Sequence, residues 1–167
     1  MKPLKNTLVT AQSDDECFMR LALAEAQRAK DLGEVPVGAI IVRHGHVIAS
    51  GFNCRELRQD PMAHAELIAI HTASEELGTW RLTDVTLYAT LEPCPMCAGA
   101  IIQSRIPRLV FGTHDPKAGA CGSIYNLLMD PRFNHQVKVK SGLFDGESRK
   151  MLQTFFHTLR RPQPSSL

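Results

Sequence analysis

Nowhere in the 167 residues does an apolar run approach the ~18–20 residues that a bilayer-spanning helix requires. A membrane-spanning helix is excluded on that ground. The N-terminus also lacks a continuous apolar stretch followed by small residues, the mark of a secretory signal, so the cytoplasm is the expected compartment. Cysteines are few and odd in number (Cys17, Cys54, Cys94, Cys97 and Cys121), which without an export signal speaks against a disulfide framework. Reduced thiols are expected. The 11 glycines and 10 prolines follow no period, and the chain has no internal repeat, low-complexity tract or linker, so fibre and disorder are excluded. A hydrophobic fraction of 44% and a charged fraction of 22% are ordinary for a soluble globular chain of one domain.

Net charge is nearly absent too, at +2, but it is unevenly placed. Residues 1–85 carry 9 basic and 12 acidic side chains, whereas residues 86–167 carry 10 basic and 5 acidic. A mild basic surface is expected on the second part.

Hydrophobic spacing orders the elements. Residues 1–12 read as a loose arm, and a helix begins at Ser13, which stands at capping-box distance from Glu16 and precedes a helical stripe through Phe18, Leu21, Ala22, Ala26 and Ala29. Val37 to Val42 and Val47 to Phe52 flank His44-Gly45 as a hairpin, and 53–60 is a polar loop. Asp60-Pro61 reads as an N-cap with proline at the first helical position, placing His64 in the first turn of a helix that runs to Leu77. Val85 to Thr90, Cys94 to Gln103 and Leu109 to Gly112 form strand, helix and strand, the unit of a parallel pair. A Gly-rich loop follows over 113–122. A short helix is expected over Ser123–Met129, an edge strand over Val137–Lys140, a last helix over Gly146–Leu159 and a frayed tail from Pro162. The fold class is α/β: a three-layer α/β/α sandwich around a five-stranded mixed sheet, with the domain over 13–161.

The chemistry-bearing feature is a divided one, His64-Ala65-Glu66 at one helix start and Pro93-Cys94-Pro95-Met96-Cys97 at another. Cys94 and Cys97 share a helix face, and a helix N-terminus favours the thiolate. Two thiolates and one imidazole suit tetrahedral Zn²⁺, and three protein ligands leave the fourth position for water, as catalytic zinc sites do. His64 and Glu66, two apart on a helix, point about 200° from one another, so Glu66 is placed beside the metal as the group that moves protons for a hydrolytic reaction. Two other readings exist. A Cys-x-x-Cys can be a dithiol redox pair, but such a pair has no need of His-x-Glu at a second helix start. A structural zinc knuckle needs a fourth ligand, and none of the remaining cysteines and histidines has paired knuckle spacing.

These residues resemble the signature of the zinc-dependent nucleoside and nucleobase deaminases, His-x-Glu followed by Pro-Cys-x-x-Cys. Within that superfamily the stretches Glu34-Val35-Pro36-Val37-Gly38-Ala39, Asp60 to Glu66, Thr90 to Ala100 and Asn134-His135 are similar to the bacterial tRNA-specific adenosine deaminases. The resemblance implies a cytidine-deaminase-like fold and conversion of the wobble adenosine of a tRNA anticodon to inosine, with release of ammonia. It implies a homodimer with one Zn²⁺ per subunit, the anticodon stem-loop as partner and no membrane. By the family pattern His64, Cys94 and Cys97 ligate zinc and Glu66 shuttles protons. Asn53 and the backbone at Ala65 then meet the nucleoside, and Val35 and Pro36 pack on the base. Asp115 and Lys117 contact flanking nucleotides, and Phe155, Phe156, Arg160 and Arg161 form an RNA-facing helix. Adjacent helical residues face about 100° apart, so one of the two phenylalanines is expected in the core. The chain departs from the pattern at Cys54-Arg55, where a basic residue then proline is usual, and at Cys121, where a small aliphatic is usual. A deaminase of free bases or nucleosides is the alternative, and it would need no basic surface.

Overall fold

The computed structural model describes residues 14–160. The expected arm over 1–12, the cap at Ser13, Arg161 and the tail from Pro162 lie outside the described residues.

Helix α1 (Asp14–Asp31) opens on Asp14, Asp15 and Glu16 and closes with Arg28 and Lys30, charges that complement the helix dipole at both ends. Strands β1 (Gly38–Arg43) and β2 (His46–Phe52) form the expected hairpin. Its two turn residues, His44 and Gly45, both take positive φ (50° and 78°), as a tight hairpin with right-handed twist demands. The remaining elements are α2 (Arg55–Arg58), α3 (Ala65–Leu77), β3 (Val85–Leu91), α4 (Pro95–Gln103), β4 (Arg108–Thr113), β5 (Lys138–Lys140) and α5 (Asp145–Leu159).

The five strands make one mixed sheet in the order β2-β1-β3-β4-β5. β2, β1 and β3 are antiparallel, whereas β3, β4 and β5 run parallel, with α4 as the crossover between β3 and β4. Side chains alternate across it as the pleat requires. Ala39, Ile41, Leu87, Ala89, Leu109 and Phe111 pack with α3 and α4 on one face. Ile40, Val42, Tyr88 and Val110 pack with Met19 and Ala22 of α1, and with Leu143 and Phe144 at the entry to α5, on the other.

Two glycines set how closely helices approach the sheet. A Cβ at Gly38 would lie 2.1 Å from the Ala22 carbonyl oxygen, so α1 rests directly on β1. A Cβ at Gly51 would lie 2.4 Å from the Ala65 carbonyl oxygen. The start of α3, which carries the His-x-Glu motif, is therefore seated against β2 because residue 51 has no side chain.

The structure corrects three local expectations. The polar loop over 53–60 contains the short helix α2. α3 begins at Ala65 and not at Pro61, because the Asp60 carboxylate accepts the Met62 N–H in a local turn and His64, extended at φ −80° and ψ 148°, is the N-cap. The helix expected over Ser123–Met129 shrinks to a 3₁₀ turn at Leu127–Met129, since Cys121 and Asn126 pair as an isolated bridge. Among the described residues no helix is long and apolar enough to cross a membrane.

Candidate active site

The two halves of the divided motif meet at the N-termini of α3 and α4. His64 and Cys94 are the N-caps of these helices, both with extended backbones, and Pro95 occupies the first turn of α4, where its missing N–H costs nothing. Their side chains converge with that of Cys97, and the three ligand atoms lie within 4.8 Å of one another. The Nδ1 atom of His64 is 3.7 Å from Cys94 Sγ and 3.5 Å from Cys97 Sγ. A tetrahedral ion with metal–sulfur bonds of ~2.3 Å and metal–nitrogen bonds of ~2.0–2.1 Å holds sulfur and nitrogen about 3.6 Å apart. The donor set therefore fits a tetrahedral, borderline-soft divalent ion in chemistry and in spacing.

Because His64 caps the helix and is not inside it, the helical wheel does not separate it from Glu66. Glu66 is 4% exposed and lies beside the cluster. Burial pushes its proton affinity up, while hydrogen bonds from its own backbone N–H and from Cys97 pull the other way. Cys94 is pushed down to about 4, chiefly because the Cys97 thiol donates to it, with His64 assisting. Cys97 is pushed up by being that donor and by burial. His64 is raised chiefly by its hydrogen bond with Cys94.

A cavity of about 290 Å³ opens onto this corner. Of the residues predicted from the sequence, Val35, Asn53, His64, Ala65, Glu66, Cys94 and Asp115 line it. Cys97 is fully buried behind them. Pro36 is buried and outside the lining, and Lys117 is exposed beside the lining residue Ala118. Phe155 is in the core and Phe156 is exposed, with their rings edge to face at 5.5 Å, so the expected division between the two holds. Arg160 ends α5 and is exposed. Asn134 and His135 sit elsewhere, bonded to Arg105 Nη1 and to the Ile106 carbonyl oxygen.

Two buried acids in the lining were not anticipated. Glu34 accepts the Leu57 N–H through Oε1 (2.6 Å) and the Asn53 Nδ2–H through Oε2 (3.1 Å). Glu92 accepts the backbone N–H groups of Asp115, Cys121 and Ser123, together with the Ser123 hydroxyl, and its Oε2 lies 3.1 Å from His114 Nδ1. Burial raises Glu92, but this group of donors outweighs it and the net shift is downward. The loop that carries Asp115 and Lys117 is thus tied to the strand that ends at the Cys-x-x-Cys motif. Both acids had a sequence signal, since each sits in an apolar setting beside a proline-containing part of the motif, Val35-Pro36 or Pro93.

The sequence model of the MafB19-like deaminase family matches residues 13–160. A tRNA-specific adenosine deaminase of Bacillus subtilis (strain 168) is 49% identical over 154 residues, 92% of this chain and 96% of that protein. A protein of the same name from Haemophilus influenzae is 47% identical over 147 residues, 87% of this chain and 85% of that one. Among solved structures, one from studies of A-to-I editing by tRNA:A34 deaminases at the wobble position of transfer RNA superposes with a TM-score of 0.79 at 46% identity. It covers 81% of this chain and 99% of that one.

Proposed function

The chain belongs to the MafB19-like deaminase family, and from that premise we propose that it hydrolyses the wobble adenosine of a tRNA anticodon to inosine. The observation that carries the proposal is the His64, Cys94 and Cys97 triangle with buried Glu66 beside it, at the wall of a cavity large enough for a base. The near-full-length similarity to tRNA-specific adenosine deaminases supports the choice of substrate.

His64, Cys94 and Cys97 would hold zinc, whose chemistry is to lower the pKa of water from 15.7 toward ~7. Glu66 does the proton work. Its buried carboxyl takes a proton from the attacking water and delivers it toward the departing nitrogen, so that water adds at C6, the C6–N bond breaks and ammonia leaves. Val35 supplies an apolar wall for the base, backed by Pro36. Ala65 stands at the first position of α3, where backbone N–H groups have no partner within the helix and can meet a base edge. Asn53 addresses the nucleoside.

An adenine stacked in a duplex cannot reach this recess, whereas an anticodon loop already presents unstacked bases, so extrusion costs less there. Asp115 and Lys117 on one rim contact the flanking nucleotides. Phe156 on α5 and Arg160 at its C-cap, with Arg161 next in sequence, offer a stacking face and phosphate contacts, which makes affinity fall with salt. The working form is a homodimer with one zinc per subunit, and its compartment is the cytoplasm, in keeping with five free cysteines.

The test is inosine formation by the zinc-loaded protein on an adenosine-wobble anticodon stem-loop, beside free adenosine, cytidine and guanine. Inosine in the stem-loop alone is the expected result. Turnover of a free base or nucleoside in its place would keep the Glu66 chemistry and overturn the RNA substrate.

A further inference from the structure

We infer that Glu34 is a positioning residue that sets which way round the Asn53 amide faces the substrate, and with it the hydrogen-bond polarity of the cavity wall; this rests on Asn53 addressing the nucleoside, as proposed above. Asn53 is 7% exposed and its carboxamide can in principle sit either way round. Glu34, 1% exposed, removes that freedom. A carboxylate offers acceptors and no donor, so the Asn53 amino group must turn toward it, as the 3.1 Å contact shows. What remains of Asn53 for a ligand is the carbonyl oxygen and the second N–H.

The other oxygen of Glu34 is equally committed. It accepts the Leu57 N–H at 2.6 Å, and a backbone N–H can only donate. Glu34 thereby joins the start of β1, through the segment before it, to the end of β2 and to α2, which carries the cavity residues Arg55 and Glu56. Both oxygens face donors, and both donors belong to residues at or next to the cavity wall.

This arrangement predicts what Glu34→Gln would do. The substituted side chain has one oxygen and one amino group. Its oxygen must go to the Leu57 N–H, whose polarity cannot change, and its amino group then faces Asn53. Asn53 answers by flipping, so both hydrogen bonds survive but the amino group and the carbonyl oxygen exchange places at the cavity wall. Fold and metal site are retained while recognition is inverted. A second substitution reverses the inversion. In the E34Q/N53D double variant, the introduced glutamine donates to one oxygen of the introduced aspartate, and the other oxygen restores an acceptor to the wall. N53D alone sets two carboxylates against each other and restores nothing.

The experiment compares wild type, E34Q, N53D and E34Q/N53D for KM and kcat on the stem-loop, with bound zinc per chain, melting temperature and the Asn53 side-chain amide NMR signals recorded for each variant that retains Asn53. E34Q is expected to raise KM about ten- to hundredfold, because a mismatched buried polar contact weakens ground state and transition state alike, with kcat, zinc content and melting temperature little changed. The double variant is expected to recover at least half of the loss on a logarithmic scale. In wild type one Nδ2 proton of Asn53 is expected downfield, bonded to a carboxylate, and E34Q is expected to lose that shift. A KM within twofold of wild type in E34Q overturns the inference, as does a double variant no better than the product of the single effects. A parallel fall in melting temperature and zinc content would reduce Glu34 to a structural brace. Wild type inactive on the stem-loop would overturn the substrate and not this inference, because the amide signals report the orientation of Asn53 in the absence of any substrate, and an unshifted wild-type Nδ2 proton overturns it.

Discussion

Glu66 and Glu92 are almost equally hidden from solvent, 4% and 2% exposed, and both line the same cavity, yet their environments drive them in opposite directions. At the start of α3, burial dominates and Glu66 holds a proton more tightly than a free glutamate. At the end of β3, burial acts in the same sense, but Glu92 is met by three backbone N–H groups and the Ser123 hydroxyl, and stays ionised more readily than a free one. Solvent exposure alone therefore does not decide what a carboxyl can do. The protein packed around it and the donors aimed at it decide together. The first region has a carboxyl whose proton affinity is raised, and the second has one spent on holding a loop.

Removing the ionisable group from the first region is the strongest way to break this contrast. Glu66→Gln should lower kcat by about 10²–10⁴ while bound metal is kept and the melting temperature does not fall, since the variant removes a proton carrier and a buried ionisable group together. Inosine formation and metal content check it, and an E66Q protein with wild-type turnover would end the proton-transfer assignment.

Glu92→Gln should do the reverse. Facing an amino group toward N–H donors leaves buried groups unpaired and should cost about 3 kcal/mol, seen as a melting temperature about 6–12 °C lower. The pH dependence follows in sign. An unfolded glutamate titrates near ~4.3 and Glu92 in the fold titrates lower, so its stabilisation is complete above ~4.3 and is lost as pH falls through the folded value. Asp15, held low chiefly by Arg108 and also by Lys140 and Tyr88, adds to the same acid limb. Thermal melts from pH 7 to pH 3 should therefore be flatter in E92Q than in wild type.

A smaller effect sharpens the loop side alone. A Cβ at Gly119 would lie 2.4 Å from Glu92 Oε2, so Gly119→Ala should destabilise by about 1–3 kcal/mol in the wild type. In an E92A background the part of that penalty owed to Glu92 should vanish while the contact with the Asp115 backbone oxygen, 2.6 Å from the same Cβ, remains, and additive melting-temperature shifts would show that Glu92 does not shape the loop.

The strands, α1, α4, α5 and the three candidate metal ligands were legible because each rests on a short-range pattern: period-two alternation, helical stripes, prolines at helix starts and a Cys-x-x-Cys spacing. α2 was not. Its four residues, Arg55 to Arg58, bury nothing, and the chain there is held partly by Glu34 reaching Leu57 from 23 residues away. The start of α3 was misplaced for a related reason. Asp60-Pro61 has the composition of a helix cap, but the Asp60 carboxylate closes a local turn onto Met62, and the helix waits for His64. Glu34 and Glu92 stood in view as acids beside the motif, but their partners come from distant loops and carry no local signature.

By itself the sequence determined the types of chemical group available and the elements that bear them, since donor identity and local periodicity are properties of neighbouring residues. Only the tertiary structure decided that His64 caps α3 and so shares one corner with Glu66, that Glu66 binds a proton more tightly and Glu92 less tightly than a free glutamate, and that the Asn53 amide is held by Glu34. Each of these depends on how many donors, and how much water, other parts of the chain bring to a buried polar atom.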